Sequence, residues 1–151
     1  MTWLSFGPRT EHPGALRADI LPIADVVADI RSLQFADASC DGVECYHVLE
    51  HLLPDEAVQA VGELYRVLKP GGELLVAVPD MAACALTLLK GDLAVLRNIY
   101  SPHPEPAQQH RWGYTVATLA ILLAMAGFVD LEEQPHSPQD PHEIRMRARK
   151  P

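Results

Sequence analysis

His47, Glu50 and His51 stand together in the run HVLEH, and imidazole and carboxylate at this spacing can do two kinds of chemistry. The first is metal binding. Two histidines one helical turn apart can share a cation, H-x-x-E-H is an inverted zinc-protease signature, and Glu132 or Glu133 lies downstream as a third ligand. The surroundings argue against the helix this requires. An apolar strand candidate, residues 43–46, runs directly into His47, and Pro54 punctuates the segment after about one turn. The chain is also far shorter than such metalloproteases, so no metal site is expected. The second chemistry is proton transfer, for which His47, His51 and His110 are the candidates. His12, His103, His136 and His142 have no convergent partners in the sequence and read as surface residues. Two carboxylates, Asp19 and Asp29, close short β-prone runs, where a ligand or a turn amide can meet them.

These groups need a scaffold, and the hydrophobic pattern supplies one. Residues 3–6, 16–20, 24–30, 43–46 and 73–78 read as strands, several of them rich in β-branched residues. Pro54-Asp55 opens a helix whose apolar positions Val58, Val61, Leu64, Tyr65 and Leu68 follow helical spacing, and Pro70-Gly71-Gly72 stops it as a turn. Residues 81–90 and 115–126 read as further helices. Strands at 128–133 and 143–149 close the chain, their alternation of apolar and charged positions suiting a sheet edge. Residues 100–109 carry Pro102, Pro104 and Pro106 and read as a loop. Strands alternating with helices predict one α/β domain over residues 1–151, an open and mostly parallel sheet with an antiparallel final hairpin. In such a sheet, ligands bind at the carboxyl ends of the strands, which here fall just after Phe6, Asp19, Ala28, Tyr46 and Val78.

Composition narrows the partners. Apolar residues at 48% and charged ones at 21% describe an ordinary soluble globular chain. A net charge of −8 repels a phosphate backbone, so no nucleic acid is expected as partner. No apolar run has membrane-spanning length, no signal-peptide pattern opens the chain, and no membrane association is expected. Cys40, Cys45 and Cys84 have no metal spacing and read as reduced thiols of a cytoplasmic protein.

The segments FADASCDGVECYHVLEHL and ELYRVLKPGGELLVAVPD resemble the second half of a small class I S-adenosylmethionine-dependent methyltransferase of the methyltransferase type 11-like family. The resemblance implies a Rossmann-like fold, S-adenosylmethionine as cofactor, and methyl transfer to a small-molecule acceptor. It also implies site residues. Asp19 would accept both ribose hydroxyls, one carboxylate offering two acceptor oxygens to a vicinal diol; otherwise it is a solvated turn residue. Asp29 would meet the adenine amino group, with the Ile30 N–H on a ring nitrogen, or else cap the turn before Leu33. Gly7 and Ile20 complete the cofactor set, with His47 beside its methionine end. His47, His51 and His110 would serve as general base to an oxygen or nitrogen acceptor. Asp80 would border the acceptor or cap a helix, and Trp112 and Tyr114 would cover the acceptor or pack on the last helix.

One motif departs from the family's pattern. The glycine-rich loop and helix that should follow the first strand are reduced to Gly7-Pro8-Arg9 and Gly14. About eight residues separate the first two strands, fewer than the dozen or so that a helical crossover needs. The first helix is therefore expected to be shortened or absent. Arg9 would then replace the positive helix end or sit on the surface. A sheet face left bare near Leu4, Phe6 and Leu16 would favour a homodimer. The alternative function is a catalytically silent methyltransferase-like module that acts through protein association.

Overall fold

The computed structural model describes residues 2–22 and 24–151. Seven strands form one sheet: β1 (Trp3–Phe6), β2 (Leu16–Asp19), β3 (Val26–Val27), β4 (Cys40–Tyr46), β5 (Leu68–Pro79), β6 (Val129–Gln134) and β7 (Glu143–Arg149). Their order is β3-β2-β1-β4-β5-β7-β6. β1 to β5 pair in parallel, whereas β7 runs antiparallel to both β5 and β6. The strand order reverses between β1 and β4, which is where an open α/β sheet parts to receive a ligand.

The two faces of the sheet are built from different chemistry, and the period-2 alternation of β4 shows why. Val43 and Cys45 point to one face, Glu44 and Tyr46 to the other. The first face carries the apolar core, covered by α1 (Pro54–Val67) and, after α2 (Met81–Leu89) and the short α3 (Leu96–Tyr100), by α4 (Val116–Met125). Ala60, Val61 and Leu64 of α1 and Leu119 and Leu123 of α4 are fully buried there against Val43, Leu74 and Val76. Each such Val or Leu side chain contributes roughly 1.5–3 kcal/mol by leaving water. α1 starts where the sequence says it should, with Pro54 in its first turn and the Glu56 carboxylate accepting the Leu53 N–H. Among the described residues no helix is long and apolar enough to cross a membrane.

The second face has no helix between β1 and β2. Residues 7–15 cross it as a loop, and a single carboxylate holds them down. Glu44 is fully buried and accepts from Thr10 Oγ1 (2.6 Å), the Glu11 N–H (3.0 Å) and the His12 N–H (2.7 Å). The Trp3 and His12 rings stack at 4.1 Å, and the Arg9 guanidinium lies 4.9 Å over the Tyr46 ring. The missing first helix is thus replaced by a polar cover.

Several sequence expectations change here. The sheet face near Leu4 and Phe6 is not bare: both are buried (0% and 2% exposed), and Leu16 packs on the same core. Alternation turns Leu4 and Phe6 toward the helices and leaves Trp3 and Ser5 facing the loop, so the motive for a homodimer through that surface disappears. The third strand is only two residues long, because the chain turns at Asp29, whose carbonyl accepts the Ser32 N–H. β5 begins at Leu68 and absorbs the Lys69-Pro70-Gly71-Gly72 segment. Cys40 pairs with Leu68, and Lys150 exchanges backbone hydrogen bonds with Gly71 and Gly72. A residue as distant as Lys150 decides whether that turn stays in the sheet.

Glu44→Ala strands three donors at once. Hydrogen bonds to a charged acceptor contribute about 1.5–3 kcal/mol each and are not additive, so the expected loss of stability is about 3 kcal/mol. Glu44→Gln, which keeps one acceptor oxygen, should lose less. Urea unfolding measures both, and an unchanged midpoint in Glu44→Ala would contradict the clamp.

Candidate active site

A cavity of about 560 Å³ opens at the carboxyl ends of β1, β2 and β4, and the cofactor and proton-transfer candidates from the sequence line it. Gly7, Asp19, Ile20, Asp29 and Ile30 border it together with His47, His51 and His110. The fold gathers them for a simple reason: each follows a parallel strand or docks against the turn after one.

Gly7 ends β1 with φ +101, and a Cβ there would meet the Tyr46 carbonyl oxygen at 1.8 Å. The chain therefore passes hard against the end of β4, which only glycine permits. Asp19 ends β2. Its Oδ1 accepts the Leu21 N–H (2.9 Å). Among the described residues, no donor reaches its Oδ2. Asp29 is more heavily engaged. Arg31 grips it with Nε (2.9 Å to Oδ1) and Nη2 (2.7 Å to Oδ2), and the Arg31 N–H also donates to Oδ1. That side chain holds the Asp29 carboxyl below its usual range, and Glu56 accepts from Arg31 on the other side. Asp25 is exposed and accepts the Arg17 N–H.

His47 adopts φ +55 and sits between two buried carboxylates. Its Nδ1 lies 3.2 Å from Glu50 Oε1 and its Nε2 lies 3.1 Å from Glu143 Oε2. Burial opposes charge on the ring, but the two carboxylates outweigh it and raise the pKa. A doubly donating imidazolium has no lone pair, so the expectation of His47 as general base gives way to a positioning role. Glu143 is held in turn by the Ser137 N–H (2.6 Å) and by Arg9 Nη2 (2.8 Å). Burial pushes its pKa up, and these donors bring it below the ordinary value. Arg9 is accordingly no free surface arginine; it ties the loop over β1 to the site.

His51 and His110 differ from His47 in keeping a lone pair. His51 Nδ1–H donates to the Gln109 carbonyl (3.2 Å) and His110 Nδ1–H to the Asn98 carbonyl (2.7 Å). Each Nε2 is then the acceptor nitrogen. Burial lowers the His110 pKa, which keeps that ring neutral. The segment carrying His110 is pinned to the site because the Glu50 carbonyl accepts the Arg111 and Trp112 N–H groups (2.8 and 3.1 Å).

Other candidates lie elsewhere. Asp80 caps α2, accepting from Ala82 and Ala83 N–H. Trp112 and Tyr114 line a separate hollow of about 150 Å³ between α1 and α4 rather than the large cavity. Sequence reading missed Arg31, Glu44 and Glu143. Glu44 did carry a signal, as an acidic residue in register with Cys40, Gly42 and Tyr46; Glu143 carried none, since it shares the register of Arg145, Arg147 and Arg149.

Comparison with known proteins agrees with this geometry. Residues 10–76 match the family described as "Methyltransferase domain". An uncharacterized 37.1 kDa protein in transposon Tn4556 of Streptomyces fradiae is 38% identical over 113 residues, covering 74% of this chain. The chain spans only 31% of that relative's length. A crystal structure of a SAM-dependent methyltransferase from Methanosarcina mazei superposes with a TM-score of 0.70 at 18% identity, over 99% of this chain and 92% of that one. The Burkholderia thailandensis 1,6-didemethyltoxoflavin-N1-methyltransferase, solved with 1,6-didemethyltoxoflavin and S-adenosylhomocysteine, gives 0.64 at 20% identity, over 99% and 70%. The fold is the Rossmann-like methyltransferase fold, with the first helix replaced by a loop.

Gly7→Ala combines a forbidden φ with a backbone clash and should cost about 2–4 kcal/mol. Gly14→Ala is the contrast: φ is +80, but no atom lies within 4 Å of the added Cβ, so a loss of about 1 kcal/mol is expected. Thermal unfolding compares the two, and equal losses would show that close approach to Tyr46 is not what fixes Gly7.

Proposed function

We propose that this chain is a class I methyltransferase that binds S-adenosylmethionine in the large cavity and transfers its methyl group to a small-molecule acceptor. The observation that carries the reading is the convergence of Gly7, Asp19, Asp29 and Ile30 on one cavity at the reversal of strand order. No donor among the described residues reaches Asp19 Oδ2, which suits a ribose diol. Among the described residues nothing accepts the Ile30 N–H, which suits a ring nitrogen of adenine. Asp29 is already held by Arg31, so an adenine amino group shares that carboxylate and gains less from it.

Methyl transfer is an in-line displacement at a sulfonium carbon, in which the sulfur keeps the bonding pair and the acceptor supplies a new one. The protein's work is mainly to hold the two reactants in line. His47, braced by Glu50 and Glu143, lines the cavity near the methionine end. His51 and His110 face the acceptor side with the imidazole lone pairs available to receive its proton. The buried free thiols Cys40, Cys45 and Cys84 support a reducing, cytoplasmic setting. A second reading, a silent module that acts by protein association, draws on the missing first helix and requires that no cofactor binds.

Titration calorimetry with S-adenosylhomocysteine tests the assignment. Losing a hydrogen bond to a charged acceptor costs about 1.5–3 kcal/mol, so Asp19→Ala should weaken binding about a hundredfold and Asp29→Ala about tenfold. Asp55→Ala, at the exposed start of α1, is the control and should leave affinity unchanged. Tight binding that survives both cavity substitutions would misplace the site, and absence of binding in all four proteins would favour the silent module.

A further inference from the structure

We propose that Glu50, His51 and His110 hold a first-row divalent cation of the Zn²⁺, Fe²⁺ or Mn²⁺ class at the acceptor end of the cavity. One ligand atom from each of the three lies within 4.8 Å of the others, and all three residues line the cavity. Two imidazoles and one carboxylate form a donor set suited to these ions, and with three protein ligands the remaining positions stay open to a small molecule.

Three details go beyond proximity. Both imidazoles are oriented as metal-binding histidines are, with Nδ1–H given to a backbone carbonyl (Gln109 for His51, Asn98 for His110) and Nε2 left as the ligand nitrogen. Glu50 is 1% exposed, and its Oε2 is a buried oxygen with no hydrogen-bond partner among the described residues. Leaving such an acceptor bare is costly, and a cation removes the cost. His47 meanwhile donates to Oε1 of the same carboxylate, which fixes its orientation.

The geometry needs little adjustment. His110 Nε2 is 3.9 Å from Glu50 Oε1, the oxygen beside the unpartnered Oε2 on the same carboxylate, and the His51 and His110 rings meet edge to face at 5.0 Å. Ligands about 2.0–2.2 Å from one ion stand about 3–3.6 Å apart, so side-chain rotations that close the cluster by about 1 Å suffice. The backbone already holds the pieces together through the Glu50 carbonyl and the Arg111 and Trp112 N–H groups. A neighbouring cluster, His47, Asp140 and Glu143, lacks this character. There Glu143 is taken by Arg9, Ser137 and His47, and neither His47 nitrogen is free. The sequence argument against metal tested whether His47 and His51 could share an ion. The structure instead pairs His51 with His110, which that test did not weigh.

An ion here would face the cavity and offer its open positions to an acceptor's oxygen, lowering the charge cost of deprotonating it. His51 and His110 would then act through the ion rather than take the proton themselves. That role in methyl transfer rests on the function proposed above; cation binding itself does not.

The test is titration of chelator-stripped protein with ZnCl₂ and MnCl₂, followed by X-ray absorption of the Zn²⁺-loaded wild type. One ion per chain is expected, with scattering from two imidazoles. His51→Ala and His110→Ala should each weaken binding by at least about tenfold, the scale set by losing even a supporting partner of a metal ligand. Glu50→Gln, nearly isosteric, should do the same, while the exposed His136→Ala should bind as wild type does. Absence of stoichiometric binding in the wild type would overturn the proposal, as would affinity unchanged in both His51→Ala and His110→Ala, or an absorption spectrum without imidazole. The wild-type spectrum decides even where a variant fails to fold. S-adenosylhomocysteine affinity is measured in the same samples: an ion bound without it supports the cation site while counting against methyl transfer.

Discussion

One buried carboxylate carries the architecture. Glu44 sits fully enclosed in the central strand, on the sheet face that lacks a helix. A charge there is tolerated only because the loop over β1 brings it donors, and that loop has a defined path only because the charge is there. From this mutual dependence the site follows. The loop sets Gly7 against Tyr46 and aims Arg9 at Glu143. Glu143 fixes His47, and His47 orients Glu50. A continuous run of polar contacts thus joins the cover of one sheet face to the lining of the cavity.

The division of labour between the faces explains how a chain of 151 residues builds a methyltransferase fold without its first helix. The apolar face, packed by α1 and α4, supplies the burial that stabilises the sheet. The opposite face supplies polar groups and no comparable apolar burial. A helix would have provided an N-terminus for the cofactor's carboxylate. In its place stand the turn at Gly7 and the Arg9 guanidinium, which is partly spent on Glu143. His47 illustrates the resulting economy: a residue whose type suggests acid–base chemistry is used as a brace, while two histidines with backbone-anchored tautomers keep their lone pairs for the cavity.

The sequence was legible wherever structure depended on local pattern. The apolar spacing of Val61 and Leu64, the Pro54 start and the alternation of β7 located their elements within a residue or two. Asp19 and Asp29 were legible as cavity-lining residues because they close strands at the end of the sheet where such cavities open. What failed was nonlocal. The β-branched run around Val26 looked like a long strand, and the turn that Asp29 makes cut it short. The Lys69–Gly72 segment looked like a free turn, and pairing with Lys150 kept it in the sheet. Glu44 was visible as an acidic residue in an apolar strand, but its partners are backbone N–H groups of a loop, which sequence does not advertise. The approach of His110 to His51 was invisible for the same reason, resting on backbone bonds to the Glu50 carbonyl.

Under the function proposed above, the loop clamped by Glu44 does the cofactor-holding work of the absent helix. Amide hydrogen exchange with and without S-adenosylhomocysteine tests it most directly, because it reads the backbone N–H groups of that loop one by one. The account predicts added protection at Gly7 and Arg9 together with Leu21 and Ile30, and little change along α4. Protection confined to the hollow beside Trp112, or none around Gly7 while Leu21 and Ile30 respond, would contradict it.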